Sequence, residues 1–169
     1  MAVSPAYIID TSCLTQAYRV YYSFDIAPSF WNFLKTGFAT GHLLCNDKVY
    51  DEILWGNDDL TAWLKTEINK SCFIDTKTEA DILIHYGMLM NWAAAHTGYN
   101  ANAKNEFADF DNADPWVVAC AMKKNLNVVS QEVSAPLAQR TIKLPDVCSQ
   151  FNVRHIDTFT FLREVGFSM

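Results

Sequence analysis

Short apolar runs alternate along this chain with stretches whose apolar residues recur at helical spacing. Tyr7-Ile8-Ile9 is the first run and ends at Asp10, as a buried strand would, with Thr11 and Ser12 placed to start a helix. Pro28 followed by Ser29-Phe30-Trp31-Asn32-Phe33-Leu34 predicts a short helix closing near Gly37. His42 to Cys45 reads as a second strand. Asn46 or Asp47 then caps a helix over Lys48 to Leu54, stopped by Gly56. Asp58 or Asp59 starts another helix, Leu60 to Lys70, before a third short strand at Cys72 to Ile74. From Glu79 to Ala95, the positions Ile82, Leu83, Tyr86, Leu89, Met90, Ala93 and Ala94 predict a long helix. Asp114 begins the next helix, Trp116 to Lys124, with Pro115 at its first position. Leu126 to Ser130 is a strong strand signal and Thr141 to Leu144 is extended. Pro145 to Gln150 is a short helix, Val153 to Ile156 a last strand, and Thr158 to Val165 a closing helix capped by Asp157.

Strands alternating with helices imply an α/β fold with a central, mainly parallel sheet of four or five strands. No repeat, low-complexity stretch or Gly/Pro/Ser-rich linker interrupts the pattern, so residues 1–169 are expected to form a single domain.

Composition narrows the class. Half the residues are hydrophobic and 14% aromatic, which excludes a disordered chain. No apolar run approaches the roughly 18 residues that a membrane span needs. Met1 to Pro5 lacks the basic-then-apolar pattern of an export signal, so a cytoplasmic location and no membrane partner are expected. The five cysteines (Cys13, Cys45, Cys72, Cys120, Cys148) are scattered, without the C-x-x-C spacing of a zinc site. They read as reduced thiols packed like small apolar residues. A net charge of −6 argues against holding nucleic acid by bulk charge alone. It leaves room for a nuclease whose acidic site carries divalent ions, because bound cations reverse the local sign.

The placement of the acids is the informative feature. Asp10 ends the first strand, Glu52 lies in the helix after the second, Asp114 opens the helix before Leu126 to Ser130, and Glu132 follows that strand. The carboxyl ends of parallel strands share one edge, where ligands bind. Carboxylates meeting there repel unless cations intervene. Hard oxygen donors without His or Cys suit Mg²⁺ or Mn²⁺. Each acid also has an ordinary reading: a helix cap for Asp10 and Asp114, a solvated surface residue for Glu52 and Glu132. Asp109 and Asp111 read as a solvated loop turn. Arg19, Lys48, Lys104 and Arg140 are candidate phosphate contacts or plain surface cations. Tyr21, Tyr22, Phe24, Phe30 and Trp31 read as packing for the first helices rather than as stacking platforms. His42, His85, His96 and His155 form no metal motif, and G-x-S-x-G, P-loop and G-x-G-x-x-G patterns are missing.

Four segments together resemble the PIN-domain superfamily. They are Tyr7-Ile8-Ile9-Asp10-Thr11-Ser12, Val49-Tyr50-Asp51-Glu52-Ile53, Asp114-Pro115-Trp116-Val117-Val118-Ala119-Cys120-Ala121 and Val128-Val129-Ser130-Gln131-Glu132. Tyr21 to Trp31 and Ile142-Lys143-Leu144-Pro145-Asp146-Val147-Cys148 resemble, more narrowly, a bacterial PIN-related family suspected of being toxin ribonucleases of toxin–antitoxin systems. The resemblance implies a three-layer α/β/α PIN-like fold and a divalent-metal site from Asp10, Glu52 and Asp114. It implies a supporting hydrogen bond from Ser12, and homodimers are common among such relatives. The fourth position departs from the pattern, with Glu132 and Ser130 standing where many relatives have Asp and Thr.

The expected activity is Mg²⁺- or Mn²⁺-dependent hydrolysis of RNA phosphodiesters, with Asp10 and Asp114 as direct ligands and Glu52 completing the shell or orienting water. An antitoxin protein would be the partner. Two rivals stand beside it. One is a phosphatase using an aspartyl phosphate, which Ser12 in place of a second Asp disfavours. The other is a catalytically inactive PIN-fold binding module for protein or RNA.

Overall fold

A computed structural model describes residues 7–169; Met1 to Pro5, the stretch read for an export signal, lies outside the described residues. Five strands form one all-parallel sheet: β1 (Tyr7–Ile9), β2 (Leu43–Asn46), β3 (Phe73–Ile74), β4 (Asn127–Val129) and β5 (His155–Ile156), in the order β3-β2-β1-β4-β5. Ile8 lies between Leu44 of β2 and Val128 of β4, and both Ile8 and Ile9 are fully buried. A strand covered on both faces must be apolar throughout, which is why the first run shows no alternation.

Among the described residues nine α-helices flank the sheet: α1 (Thr11–Gln16), α2 (Pro28–Ala39), α3 (Asp47–Gly56), α4 (Asp59–Glu67), α5 (Ala80–Ala95), α6 (Ala101–Phe107), α7 (Ala113–Lys124), α8 (Leu144–Gln150) and α9 (Thr158–Glu164). The layers are α/β/α, as expected. α7 lies against β1, β2 and β4 with α5 over it. Pro115 to Ala121 of α7 are all buried, so this helix has no polar face. The Tyr86 and Trp116 rings stack at 3.9 Å between α5 and α7.

The chain runs outward from β1 through β2 to β3, then returns over α5, α6 and α7 to place β4 on the other side of β1. This reversal opens a crevice at the carboxyl ends of β1 and β4, the usual ligand position in an open parallel sheet.

Several boundaries differ from the sequence reading, each for a local reason. α2 continues past Gly37 to Ala39, because Gly41 (φ 73°) supplies the left-handed turn. His42 N–H then donates to Gly37 O at 3.0 Å and Gly41 N–H to Phe38 O at 3.2 Å, a Schellman ending. α4 stops at Glu67, because the Asn69 side chain takes Ser71 N–H at 2.9 Å and draws Lys70 into a 3-10 turn. α6 was not anticipated, although Asn100 caps it through Ala103 N–H at 2.9 Å. α7 begins at Ala113, capped by Asn112 rather than Asp114, which puts Pro115 third rather than first.

Among the described residues no helix is long and apolar enough to cross a membrane. All five cysteines are free. Burial pushes the Cys13, Cys120 and Cys148 thiols up to about 12 and raises Cys45 likewise, so they pack as neutral apolar groups. Tyr21, Tyr22, Phe24, Phe30 and Trp31 join the aromatic packing, for example Phe24 on Trp31 at 4.4 Å and Tyr22 on Phe30 at 4.7 Å.

At Gly37 a Cβ would lie 2.6 Å from Leu43 Cγ, so α2 approaches the start of β2 as closely as only glycine permits. Gly37→Ala is expected to destabilise by about 1 kcal/mol, a clash of roughly 1–3 kcal/mol less the helix-propensity gain. A urea midpoint that rises in the variant would contradict this packing.

Candidate active site

Asp10 continues β1 by one residue, its N–H donating to Val129 O at 3.0 Å, and its backbone stays extended. The buried side chain caps α1: Oδ2 accepts from Ser12 N–H (3.2 Å) and Ser12 Oγ–H (2.6 Å). Oδ1 is buried and has no hydrogen-bond partner among the described residues. Ser12 Oγ also accepts from Gln131 N–H at 3.0 Å and lies 3.1 Å from Ser130 Oγ. Its one proton is committed to the carboxylate, so Ser130 is the donor across that pair. Ser130 Oγ in turn accepts from Glu132 N–H at 3.1 Å. The two serines thus fasten the end of β1 to the end of β4 and hold Asp10 in one rotamer.

Glu52, on α3, joins two helix starts. Oε2 accepts from Thr11 Oγ–H at 2.5 Å and Oε1 from Ala113 N–H at 2.9 Å. Negative charge at the start of α7 is favourable. Even so, burial holds the Glu52 carboxyl above its ordinary range; Asp10 and Glu132 push the same way, and the two hydrogen bonds oppose them.

Asp114 is the second residue of α7. Because Asn112 does the capping, its side chain is free of that task, and no protein donor reaches it among the described residues. Burial first, then the charges of Asp10, Glu132 and Glu52, push its carboxyl well above the usual range, with Lys143 pulling the other way. Glu132 Oε2 accepts from Leu144 N–H at 3.1 Å and Oε1 lies 3.7 Å from Lys143 Nζ, which joins the two ends of the irregular segment 130–143. A small polar pocket of about 90 Å³ opens here, lined by Asp114, Glu132, Lys143, Asn112, Glu106 and Thr141 among others.

The structure therefore gathers Asp10, Glu52, Asp114, Glu132, Ser12 and Ser130 at the sheet's carboxyl edge. It places the anticipated cations elsewhere. Arg19 pairs with Asp58 at 3.5 Å. Lys48 is buried, with Nζ 3.7 Å above the Phe110 ring and 3.6 Å from Asp111, so its charge serves packing rather than phosphate contact. Lys104 donates to Ala94 O at 2.8 Å. Arg140 makes no ion pair among the described residues and does not line the pocket. Asp109 accepts from Asp111 N–H at 3.0 Å in a loop turn, as anticipated. Thr11 was read from the sequence only as a helix start, and Asn112 and Lys143 were given no site role. Asn112 two residues before Asp114 offered a cap signal, and Lys143 directly precedes the Leu144-Pro145 start of α8.

The donor set suits a hard divalent cation. All its donors are carboxylate oxygens, they are partly desolvated and like-charged, and one oxygen is orphaned. Asp10 and Asp114 are the residues with oxygens to give, since both oxygens of Glu52 and of Glu132 already face protein donors. Among the described residues no group of three or more His, Cys, Asp or Glu side chains is placed to hold a metal ion, so the set offers at most two direct protein ligands. An open site of two aspartates and water is the arrangement Mg²⁺ commonly takes.

Residues 7–169 match the family described as a domain of unknown function, DUF4411. The chain belongs to that family. No curated protein matches it. In this DUF4411 chain the matched span includes every residue of the carboxylate site and Lys143.

The raised carboxyl groups set the pH dependence of stability. With Asp114 and Glu52 raised, the folded DUF4411 chain keeps protons that the unfolded chain releases. In metal-free buffer, stability is therefore expected to fall as pH rises from the ordinary carboxylate range through the raised values. Asp114→Asn removes the charge and no accepted hydrogen bond. It is expected to raise Tm at neutral pH, on the order of 2–4 °C for each kcal/mol of repulsion relieved. Melting curves in chelator across pH test this; an unchanged or lower Tm in the variant speaks against repulsion at the site.

Proposed function

We propose that this DUF4411 chain is a divalent-metal-dependent endoribonuclease of the PIN-domain class and the toxin of a toxin–antitoxin pair. The observation that carries the reading is the meeting of Asp10, Glu52, Asp114 and Glu132 at the β1/β4 crevice, with Asp114 raised by burial and by its like-charged neighbours. Sequence resemblance adds the class: the PIN-like segments fall on β1–α1, α3, α7 and β4, the elements that carry these acids. The toxin assignment rests on the narrower resemblance of Tyr21 to Trp31 and Ile142 to Cys148. An antitoxin, by this reading, covers the acidic edge in the cytoplasm, and the chain acts as a homodimer.

Asp10 and Asp114 would hold Mg²⁺ or Mn²⁺, which when bound polarises a phosphate and lowers the pKa of a coordinated water. The chain's own groups do the rest. Ser12 fixes Asp10 through Oδ2 and leaves Oδ1 pointing away from that bond. Glu52 ties the starts of α1 and α7 together and so sets the separation of Asp10 and Asp114. Lys143, beside Glu132 on the pocket wall, is the cation placed to face the anionic phosphate of the substrate.

A second reading has its own observation. Both oxygens of Glu52 and of Glu132 are engaged by the protein, as in a site whose acids serve only the fold. The protein would then be a catalytically inactive binding module.

Mn²⁺ separates the two. The nuclease reading expects Mn²⁺ to raise Tm and to support cleavage of single-stranded RNA that chelator abolishes. Asp10→Asn and Asp114→Asn should each lose about 100-fold or more of that cleavage while still melting cooperatively. Cleavage surviving in both variants, or no effect of Mn²⁺ on either Tm or RNA, would refute the nuclease.

A further inference from the structure

A second cleft, of about 540 Å³, opens beside the carboxylate site. Its walls are Trp92 and His96 at the end of α5, Tyr99, and Asp146, Ser149 and Gln150 on α8. Its volume falls within the roughly 300–1,000 Å³ of small-molecule sites. One wall is aromatic. The His96 ring lies on Tyr99 at 4.4 Å with 34° between planes, and Trp92 meets both edge-on at 5.4 and 6.1 Å. Tyr99 is buried beneath, whereas His96 and Trp92 are only half-buried and keep surface toward the cleft. His96 Nδ1 accepts from Gly98 N–H at 3.1 Å. In the neutral ring the proton therefore sits on Nε2, which is a donor.

The other wall is polar. Asp146 accepts one hydrogen bond on each oxygen, from Ser134 Oγ–H and from Ala135 N–H at 2.9 Å. A second lone pair remains on each oxygen. The side chains of Ser149 and Gln150 stand beside it. An aromatic wall with a half-buried imidazole ring, in the same cleft as a carboxylate with two open acceptor positions, is complementary to a purine that stacks and presents two adjacent N–H groups. Among the nucleobases this is guanine, through N1–H and N2–H.

The cleft is tied to the carboxylate site by one segment. Glu132 and Ser134 are alternate residues of the irregular segment 130–143, and Leu144, which holds Glu132, lies two residues before Asp146, which holds Ser134. Gln139 O of the same segment accepts from Asn100 N–H, the residue after Tyr99, at 2.9 Å. We propose that this cleft is a base-binding subsite for an RNA strand, with guanine stacked on His96 and hydrogen-bonded to Asp146. Its role in catalysis rests on the nuclease reading; base binding itself does not.

The test titrates the full-length protein with GMP, AMP, CMP and UMP, followed by Trp fluorescence and by NMR shifts of the His96 ring. GMP is expected to bind most tightly and to shift the His96 signals. His96→Ala should weaken binding about tenfold, the scale of one lost stacking contact. His96→Phe should retain it, and Asp146→Asn should erase the preference for GMP over AMP. Asp10→Asn should bind GMP like the wild type. If GMP binds this way while no Mn²⁺-dependent cleavage appears, the subsite stands and the nuclease reading fails. If RNA is cleaved but no mononucleotide shifts His96, or His96→Ala and Asp146→Asn leave KM and base preference unchanged, the subsite is overturned. Equal binding of all four nucleotides overturns the guanine assignment, and a shift of His96 only on adding a partner protein overturns the RNA assignment.

Discussion

Asp10, Glu52, Asp114 and Glu132 repel one another across a partly desolvated edge of the sheet, and the surrounding hydrogen bonds hold them there nonetheless. Like charges find little compensating screening where water is partly excluded, so such a cluster is not a neutral feature of a fold. Three of the four acids are held by protein groups: Ser12 for Asp10, Thr11 and the start of α7 for Glu52, Leu144 and Lys143 for Glu132. Asp114 alone has no protein donor among the described residues, and it is the one whose carboxyl is pushed furthest up. A counter-cation bound there would relieve this repulsion where it is greatest.

The backbone makes the convergence unavoidable. Parallel strands send all their carboxyl ends to one edge, and the reversal of strand order at β1, outward to β3 and then back to β4, leaves a gap that no crossover fills. Ser12 and Ser130 bridge that gap with hydroxyls short enough to let the two strand ends stay adjacent. The segment 130–143 then leaves β4 with Glu132 toward the acids and Ser134 toward the aromatic cleft. The start of α8 receives both, through Leu144 and Asp146. Carboxylate site and cleft therefore share one supporting wall, and a change in that segment reaches both.

Much of the fold was legible in the chain, and the exceptions have physical causes. Among the described residues the five strands and eight of the nine helices carried apolar, periodic or capping signals strong enough to locate. The boundaries moved where a short polar side chain or a glycine competed for the backbone, as Asn69 does after α4 and Gly41 after α2. α6 is a short helix whose pattern of two buried residues, Ala103 and Phe107, is too sparse to stand out. The four carboxylates were named from their positions relative to predicted elements, because a residue at a strand end or helix start has its location set by the backbone. The cations were not legible in the same way. A lysine's place depends on where its long side chain finds an opposite charge or a ring, and Lys48 found Phe110 and Asp111. Lys143 came to the site because α8 packs beside β5 and brings its start to Glu132.

The sequence by itself determined the layered α/β class, the strands and which acids sit at their ends, because local periodicity and capping chemistry are written within a few residues of each site. Tertiary structure alone decided that Glu52 reaches the start of α7 across 61 positions, that Ser12 and Ser130 meet across 118 positions, and that Trp92, His96 and Tyr99 share one cleft with Asp146. Those are contacts between segments far apart in the chain, chosen by how the helices pack on the sheet, and no local pattern encodes such a choice.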